Sequence, residues 1–350
     1  MSGDYDAIIV GGGHNGLVCA AFLARAGRRV LVLEAASQMG GCAVSCEFAP
    51  GFTVSSGAHI LNMLHPKVAA SLDLAAHGLK YAIGDMPTVA LDPAGKHLVF
   101  TGALSPDESL ADQSGPDVKN LAPLRRRLIK FAGFFREFQT AVPPRLGTSD
   151  WSDRLGLGKF AWRLRRLGRD DMREFMRIAA INIADVLDDE LESDLLKGAI
   201  GLDAVLGSNL GPRSPGSVLT LLHRLAGQAD GIPGALALPL GGMGAVSAAM
   251  AAAAQAAGAE LRTDATVSRI VVENDRAAGV ELKSGDIIRA ATVVSNADPK
   301  TTFLNLLGAE YLDTGFVRRI SNIRAQGTTA KLHLALDGAP EFTGLETAKL

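Results

Sequence analysis

A run of glycines near the start of the chain has the spacing of a phosphate-binding turn. Gly11, Gly13 and Gly16 fit the pattern G-x-G-x-x-G, with His14 and Asn15 between the last two glycines. In this pattern the first glycine permits a tight turn, the second lets the backbone approach a pyrophosphate, and the third lets a helix pack against a strand. The first amides of such a helix favour an anion. The spacing therefore predicts a site for the pyrophosphate of a dinucleotide.

The residues on either side of the turn predict the elements that would position it. Residues 7–10 and 30–33 are short apolar runs, typical of parallel strands that are buried on both faces. A helix is predicted from about 15 to 26, where Gly27 would end it. Glu34 follows the second strand about 20 residues after the turn, where an acid would accept a hydrogen bond from a ribose 2′-hydroxyl. A carboxylate there disfavours the 2′-phosphate of NADP, which leaves FAD and NAD.

The residues after Glu34 help to choose between the two. Ala35, a short spacer and the pair Gly40-Gly41 follow, a continuation that resembles FAD enzymes of the glutathione-reductase type. Three longer stretches extend the resemblance: GGCAVSCEFAPGFTVSSGAHILNMLHP at 40–66, GGMGAVSAAMAAAAQAAGAEL at 241–261 and ATVVSNADPKTTF at 291–303. Together they resemble the phytoene desaturase-related FAD oxidoreductases. The resemblance implies FAD as cofactor and an α/β fold: a Rossmann-like FAD-binding domain of the glutathione-reductase type with a discontinuous α+β substrate domain.

The resemblance also implies contacts to FAD beyond the glycine turn. The residue that matches Val267 would meet the adenine end through its backbone, and Gly40, Gly41 and Cys42 would lie along the cofactor. Asn296 would follow the end of a parallel strand, at the sheet edge where ligands bind. The predicted FAD-contacting residues are Gly11, Gly13, His14, Asn15, Gly16, Glu34, Ala35, Gly40, Gly41, Cys42, Val267 and Asn296. We predict no metal site.

A catalytic residue is harder to name, because no acid/base pair stands out in the sequence. The resemblance places the turn 55–59 near the flavin, which makes His59 a candidate for contact with flavin or substrate. The more ordinary interpretation is a structural histidine that backbone carbonyls satisfy.

The predicted domains alternate along the chain. Residues 1–70 and 231–300 form the FAD-binding domain, and 71–230, a hairpin followed mainly by helices, form the substrate domain. Residues 301–350 return to the substrate domain, with a strand at 330–336. The family closes its flavin site with a glycine-rich segment that has no counterpart after residue 300 here. We therefore expect a truncated member of the family.

Composition limits the partners and the compartment. A net charge of −2 gives no reason to expect a nucleic-acid partner, and three cysteines suit a reducing, cytoplasmic compartment. No run of about 18 apolar residues predicts a membrane span. Two basic segments with an apolar face, 121–138 and 159–177, predict helices with a solvated basic face. The alternative is a peripheral contact with an anionic membrane.

The leading hypothesis is an FAD-dependent oxidoreductase that dehydrogenates an apolar small molecule, polyene or lipid-like, by hydride transfer to the flavin. Two alternatives stay open. Cys42 and Cys46 could form the redox pair of a flavin disulphide reductase, although their C-x3-C spacing is one residue shorter than that group uses. An escort or GDP-dissociation-inhibitor-like protein would keep the fold and bind a partner without redox chemistry.

Overall fold

A computed structural model describes residues 4–106, 116–139, 141–147, 149–325, 327 and 329–345. Its contacts divide the chain into two compact units. Unit 1 comprises Met1–Leu61, His65–Ile83 and Leu238–Ala325, and unit 2 comprises Asn62–Leu64, Gly84–Ala237 and Gln326–Leu350.

The predicted domain boundaries and the observed units differ in four places. Residues 62–64 and 231–237, predicted to lie in the FAD-binding domain, belong to unit 2. The structure places 71–83 and 301–325 in unit 1, whereas both were predicted to lie in the substrate domain. Residues 107–115 and 346–350, which the domain prediction includes, lie outside the described residues.

Fifteen short or medium strands are present in the described residues. They are β1 Tyr5–Val10, β2 Val30–Leu33, β3 Ser45–Ala49, β4 Phe52–Ser55, β5 Tyr81–Ile83, β6 Thr88–Ala90, β7 Leu98–Thr101, β8 Ser105–Pro106, β9 Gln228–Ala229, β10 Ile232–Pro233, β11 Leu238–Pro239, β12 Glu260–Arg262, β13 Val267–Glu273, β14 Arg276–Leu282 and β15 Ile287–Ser295.

Ten α-helices are present in the described residues, with a π-helix at Thr301–Gly308 and a 3-10 turn at Ala309–Tyr311. The α-helices are α1 His14–Arg25, α2 Pro66–Leu72, α3 Pro116–Arg136, α4 Trp151–Arg166, α5 Arg169–Ile178, α6 Ile183–Glu190, α7 Asp194–Val205, α8 Ser217–Ala226, α9 Met243–Ala256 and α10 Thr314–Ser321.

Unit 1 is built on a six-stranded sheet with the order β12-β2-β1-β15-β14-β13. β1 lies between β2 and β15 and runs parallel to both, and β12 runs parallel to β2. The two apolar runs predicted as strands lie in the interior, since all four residues of Val30–Leu33 and the last four of β1 are buried. The α/β class and its Rossmann-like sheet are therefore confirmed.

One continuous strand, β15, completes the parallel part of this sheet. Its first half pairs antiparallel with β14, and its second half runs parallel to β1. Because one extended segment satisfies both neighbours, no break in the strand is needed.

Helices α1 and α9 pack against each other in unit 1 through small side chains. Ala20, Ala21 and Ala24 on α1 are buried, as are Ala249 and Ala253 on α9. Alanine side chains let two helix backbones approach closely. The packing of α1 fixes the direction of its first turn, which carries the glycine motif.

Unit 2 is mainly helical, as the sequence predicted for the part of 71–230 that follows the hairpin. Leu124, Leu128 and Phe131, three members of the predicted apolar face of α3, are fully buried. They lie in a core that also takes side chains from α5, α6, α7 and α8. The predicted hairpin is present as the antiparallel pair β6 and β7.

Two predictions in unit 2 are wrong. The basic segment 159–177 is not one helix, because Gly168 adopts a φ of 94° and separates α4 from α5. Residues 330–336 are not a strand, and Leu332 and Leu334 are 79% and 65% exposed. A strand needs a neighbour that accepts its hydrogen bonds, and no described strand pairs with this segment.

Candidate dinucleotide site

The glycine turn leaves the central strand of the sheet and opens α1. Gly11 adopts a φ of 96°, a conformation that favours glycine, and Gly13 caps the helix. Within this fully described helix no side chain caps the N-terminus, and the first turn holds no acidic residue. His14 and Asn15 are exposed there. The positive end of the helix dipole is therefore available to an anionic ligand.

At two of the glycines an added Cβ would meet a close neighbour. A Cβ at residue 16 would lie 2.3 Å from the carbonyl oxygen of Gly11, which is backbone and cannot move aside. A Cβ at residue 13 would lie 2.8 Å from Nδ2 of Asn296. The turn thus packs against its own helix on one side and against the end of β15 on the other.

Glu34 lies beside this turn because β2 is the parallel neighbour of β1. Its carboxylate accepts hydrogen bonds from the backbone amide of Gly12 at 2.7 Å and from that of Ala36 at 2.9 Å. A carboxylate offers about four lone-pair directions, so two amides leave room for ribose hydroxyl donors. Ala35, next along the chain, is exposed.

The second glycine pair lies directly against the first. The Gly40 amide donates to the Gly12 carbonyl at 2.8 Å, and Gly13 and Gly40 form an isolated parallel bridge. A Cβ at residue 41 would lie 3.2 Å from the Cα of Gly13. Glycines that are far apart in the sequence therefore form one surface of backbone without side chains.

Cys42 continues this surface toward the turn that carries His59. Cys42 is exposed, and its carbonyl accepts a hydrogen bond from the Ala58 amide at 2.8 Å. His59 follows Ala58 and is itself exposed. Cys46, the other half of the suggested redox pair, lies in β3 opposite Val54. Both cysteines are free thiols.

Asn296 closes the turn from the opposite side. Its backbone amide donates to the Val10 carbonyl at 2.8 Å, and its side-chain Nδ2 donates to the Gly11 carbonyl at 3.5 Å. The parallel pairing of β1 with β15 brings the carboxyl ends of both strands to one edge, as the sequence predicted for residues 295–297.

Val267 is linked to the site through the segment that precedes it. The Ala265 amide donates to the Glu34 carbonyl at 2.9 Å, and the Asp264 amide donates to the Ala36 carbonyl at 3.0 Å. Val267 begins β13 two residues later, and its side chain is 9% exposed. Its side chain is therefore poorly placed to meet a ligand.

The N-terminus of α9 is occupied by serines. The Met243 amide donates to Oγ of Ser55 at 2.9 Å, and the Gly244 amide donates to Oγ of Ser45 at 3.1 Å. Ser247 donates to the Ala43 carbonyl at 2.6 Å. These serines fix the segment that carries Gly40 to Cys42. Sequence reasoning missed them, because each bond joins residues that are far apart in the chain.

The described residues contain neither a metal-binding cluster nor a membrane-spanning helix. They gather no cluster of histidine, cysteine and acidic side chains of the kind that holds a metal ion. None of their helices combines the length and the hydropathy that crossing a bilayer would require.

A glycine turn between a central parallel strand and a helix, with an acid at the end of the next strand, defines a dinucleotide-binding domain of the Rossmann type. The family model for flavin containing amine oxidoreductases matches residues 16–347. The chain belongs to that family. This family is flavin-containing, which confirms the predicted cofactor, FAD. The backbone at Gly13 and Gly41, which carries no side chain, fits the close approach of such a cofactor.

Several known proteins are similar to this chain. Pyridine nucleotide-disulfide oxidoreductase domain-containing protein 2 from Mus musculus is 33% identical over 365 residues, which cover 99% of this chain and 62% of that protein. One of the subunits of limonene dehydrogenase from Castellaniella defragrans is 26% identical, over 87% of this chain and 54% of that protein. The neurosporene-forming phytoene desaturase of Cereibacter sphaeroides is 44% identical over 68 residues, 19% of this chain and 13% of that protein.

Solved structures share the fold at lower identity. A double mutant of putrescine oxidase superposes with a TM-score of 0.56 at 19% identity, over 91% of this chain and 63% of that one. The family model and the relatives named above confirm the predicted phytoene desaturase-related family within the flavin amine oxidoreductases. The chain spans less than two thirds of the length of the curated relatives it matches.

Proposed function

We propose that this protein dehydrogenates an apolar small molecule, polyene or lipid-like, with FAD as the oxidant. One observation supports the use of FAD as the oxidant. One edge of the sheet brings together the glycine turn, the second glycine pair, Glu34 and Asn296. Membership in a flavin-containing oxidoreductase family supports it. The apolar substrate class is supported by the similarity of most of the chain to a protein named as part of a limonene dehydrogenase.

The chain's residues would divide the binding of FAD among them. The first amides of α1 would hold the pyrophosphate, and the Glu34 carboxylate would accept from ribose hydroxyls. Ala35 and the backbone of Val267 would lie toward the adenine. Cys42 and the turn before His59 would lie toward the other end. When bound, the flavin of FAD supplies the hydride acceptor.

Flavin binding tests the redox part directly. We expect the purified chain to carry the visible absorption of a bound flavin, or to gain it on titration with FAD. The Glu34→Ala variant should bind FAD more weakly, because it removes the ribose acceptor. Glu310→Ala, which replaces an exposed glutamate on the 3-10 turn, is the matched control and should bind as the wild type does. A wild-type chain that does not bind FAD would contradict the proposal.

The substrate class needs a separate readout. With FAD bound and oxygen excluded, an apolar polyene or a cyclic terpene should bleach the flavin absorption as electrons leave a C–H bond. Primary amines are the comparison, because the family is named for amine oxidoreductases. Bleaching by amines alone would reject the apolar substrate class while leaving FAD binding intact.

The two alternatives give different results in the same assays. A flavin disulphide reductase would show flavin reduction by a dithiol that is lost in Cys42→Ser and Cys46→Ser variants. An escort-like binding protein would stay colourless after titration with FAD and would bind a lipid-modified partner.

A further inference from the structure

Helix α4 in unit 2 turns a stripe of large apolar side chains toward solvent. The stripe, which we call the tryptophan stripe, consists of Trp151, Leu155 and Trp162, with exposed fractions of 69%, 51% and 58%. At 100° per residue, steps of four and seven bring these three side chains to one side of the helix. No residue of α4 is buried, so this helix does not contribute a hydrophobic stripe to the core in the usual way.

The opposite side of α4 is the side that packs on the protein. The Phe160 ring lies 5.1 Å from that of Phe138 and 5.8 Å from that of Phe134. Arg163 pairs with Glu137, with Nε and Oε2 3.1 Å apart. The helix is thus fixed through its inner face, and the tryptophan stripe has no such partner within unit 2's described core.

Cations border the stripe on both sides. On a helical projection Lys159 and Arg166 lie along one edge of it, and Arg154 and Arg165 lie along the other. All four are exposed, and the guanidinium of Arg166 lies 4.7 Å from the Trp162 ring. This concentration of positive charge is local, since the whole chain has a net charge of −2.

The acids of the helix do not face the stripe. Asp150 caps the helix, and its carboxylate accepts from the amide and the hydroxyl of Ser152 at 2.8 Å. Asp153 projects toward the packed side on the same helical projection. The outward face therefore presents apolar rings framed by cations.

We propose that the tryptophan stripe is a docking surface for the interface of an anionic lipid bilayer. Tryptophan rings prefer the boundary between headgroups and acyl chains, and arginine or lysine beside them meets lipid phosphates. A second copy of the chain would bring these cations against one another. A nucleic acid would neutralise the cations but would leave Leu155 without an apolar environment. The proposal rests on α4 alone and holds whether or not the redox proposal does.

The chain offers an unusually clean probe of this surface. It contains two tryptophans, and both belong to the stripe. Intrinsic tryptophan fluorescence therefore reports the stripe without background. Vesicles of equal parts phosphatidylcholine and phosphatidylglycerol should shift this emission to the blue, and brominated acyl chains should quench it. Vesicles of phosphatidylcholine alone should do so much less, and added salt should weaken the effect.

Variants separate the two contributions. The double variant Trp151→Ser/Trp162→Ser, followed by co-sedimentation with the vesicles, should bind at least about ten-fold more weakly. Arg165→Gln/Arg166→Gln should lose about five-fold for each cation removed. Leu202→Ser/Leu206→Ser, which removes two exposed leucines at the end of α7, is the matched control and should bind as the wild type does.

Three results would overturn the proposal. The first is wild-type emission that does not respond to the anionic vesicles, a result that needs no variant and no assumption about folding. The second is undiminished vesicle binding by the tryptophan variant. The third is a blue shift that follows protein concentration without lipid, which would assign the stripe to contact between copies of the chain.

Discussion

Gly13→Ala should separate cofactor binding from folding. Gly13 has a φ of −67° and a ψ of 168°, a region open to every L residue, so alanine brings no backbone strain. Its Cβ would lie 2.8 Å from Nδ2 of Asn296, the end of a side chain that can rotate away. The smaller entropy of the unfolded chain partly offsets that adjustment, so stability should change by no more than about 1 kcal/mol.

FAD binding should suffer more than stability. The added methyl group stands where the backbone must approach the pyrophosphate. A hydrogen bond to a charged group is worth about 1.5–3 kcal/mol, and the helix dipole adds about 0.3–1 kcal/mol. Loss of one amide–phosphate contact with its share of the dipole therefore costs about 2–4 kcal/mol, which weakens FAD binding about thirty- to seven-hundred-fold.

Two other glycine substitutions calibrate this result. In Gly16→Ala the Cβ would lie 2.3 Å from the backbone oxygen of Gly11, so α1 must shift, and overpacking should cost about 1–3 kcal/mol of stability. Gly133→Ala on α3 meets nothing within 4 Å and is the control for the substitution itself. FAD titration followed by flavin fluorescence measures binding, and urea unfolding measures stability.

A Gly13→Ala variant that folds normally and binds FAD as tightly as the wild type would contradict this prediction. Equal losses of stability in Gly13→Ala and Gly16→Ala would contradict it too, because the contacts at the two positions would then not decide the outcome.

Three further substitutions test how the fold is held together, each by urea unfolding. Asp117 is 8% exposed, and its carboxylate accepts hydrogen bonds from the two backbone amides that precede α7, both at 2.7 Å. Asp117→Asn should lower the free energy of unfolding by about 1–3 kcal/mol, because one of these amides would then face the NH2 donor of asparagine. Ser55→Ala removes the acceptor of the first amide of α9 and should cost about 1 kcal/mol; no loss would show that this end of the helix needs no cap. The hydrogen bond from Tyr5, followed by that from Arg262, lowers the pKa of Glu260 below its ordinary value of 4.5. The ionised carboxylate therefore stabilises the folded state above pH 4.5, and this stabilisation is lost as the pH falls through the lowered pKa. Glu260→Gln should therefore be less stable than the wild type at neutral pH, by under about 1 kcal/mol for so exposed a group, and the difference should vanish in acid; a difference that grows in acid would contradict this sign.

The local part of unit 1 could be predicted from sequence. An apolar run, a glycine turn, a helix and a second apolar run each follow from short-range chemistry, and the structure has them within a residue or two of the expected positions. Asn296 could also be placed, because the carboxyl ends of parallel strands share an edge.

The errors come from features that only tertiary neighbours decide. Leucines at the alternate positions 332, 334 and 336 are typical of a strand, but a strand forms only beside a partner. The periodicity of 159–177 continued through Gly168, whose positive φ ends one helix and starts another. The serines that cap α9 are ordinary residues in sequence, and contact across the unit gives them their role.

The place of β15 in the sheet has a consequence for synthesis of the chain. Tyr5 in β1 pairs with Ala290, so one edge of the innermost strand stays unpaired until the residues between these two have been made. During translation the nucleotide pocket is therefore half built, with exposed amides that can pair with other nascent chains. We expect chaperones to act on this protein after β1 and α1 have emerged and before β15 arrives.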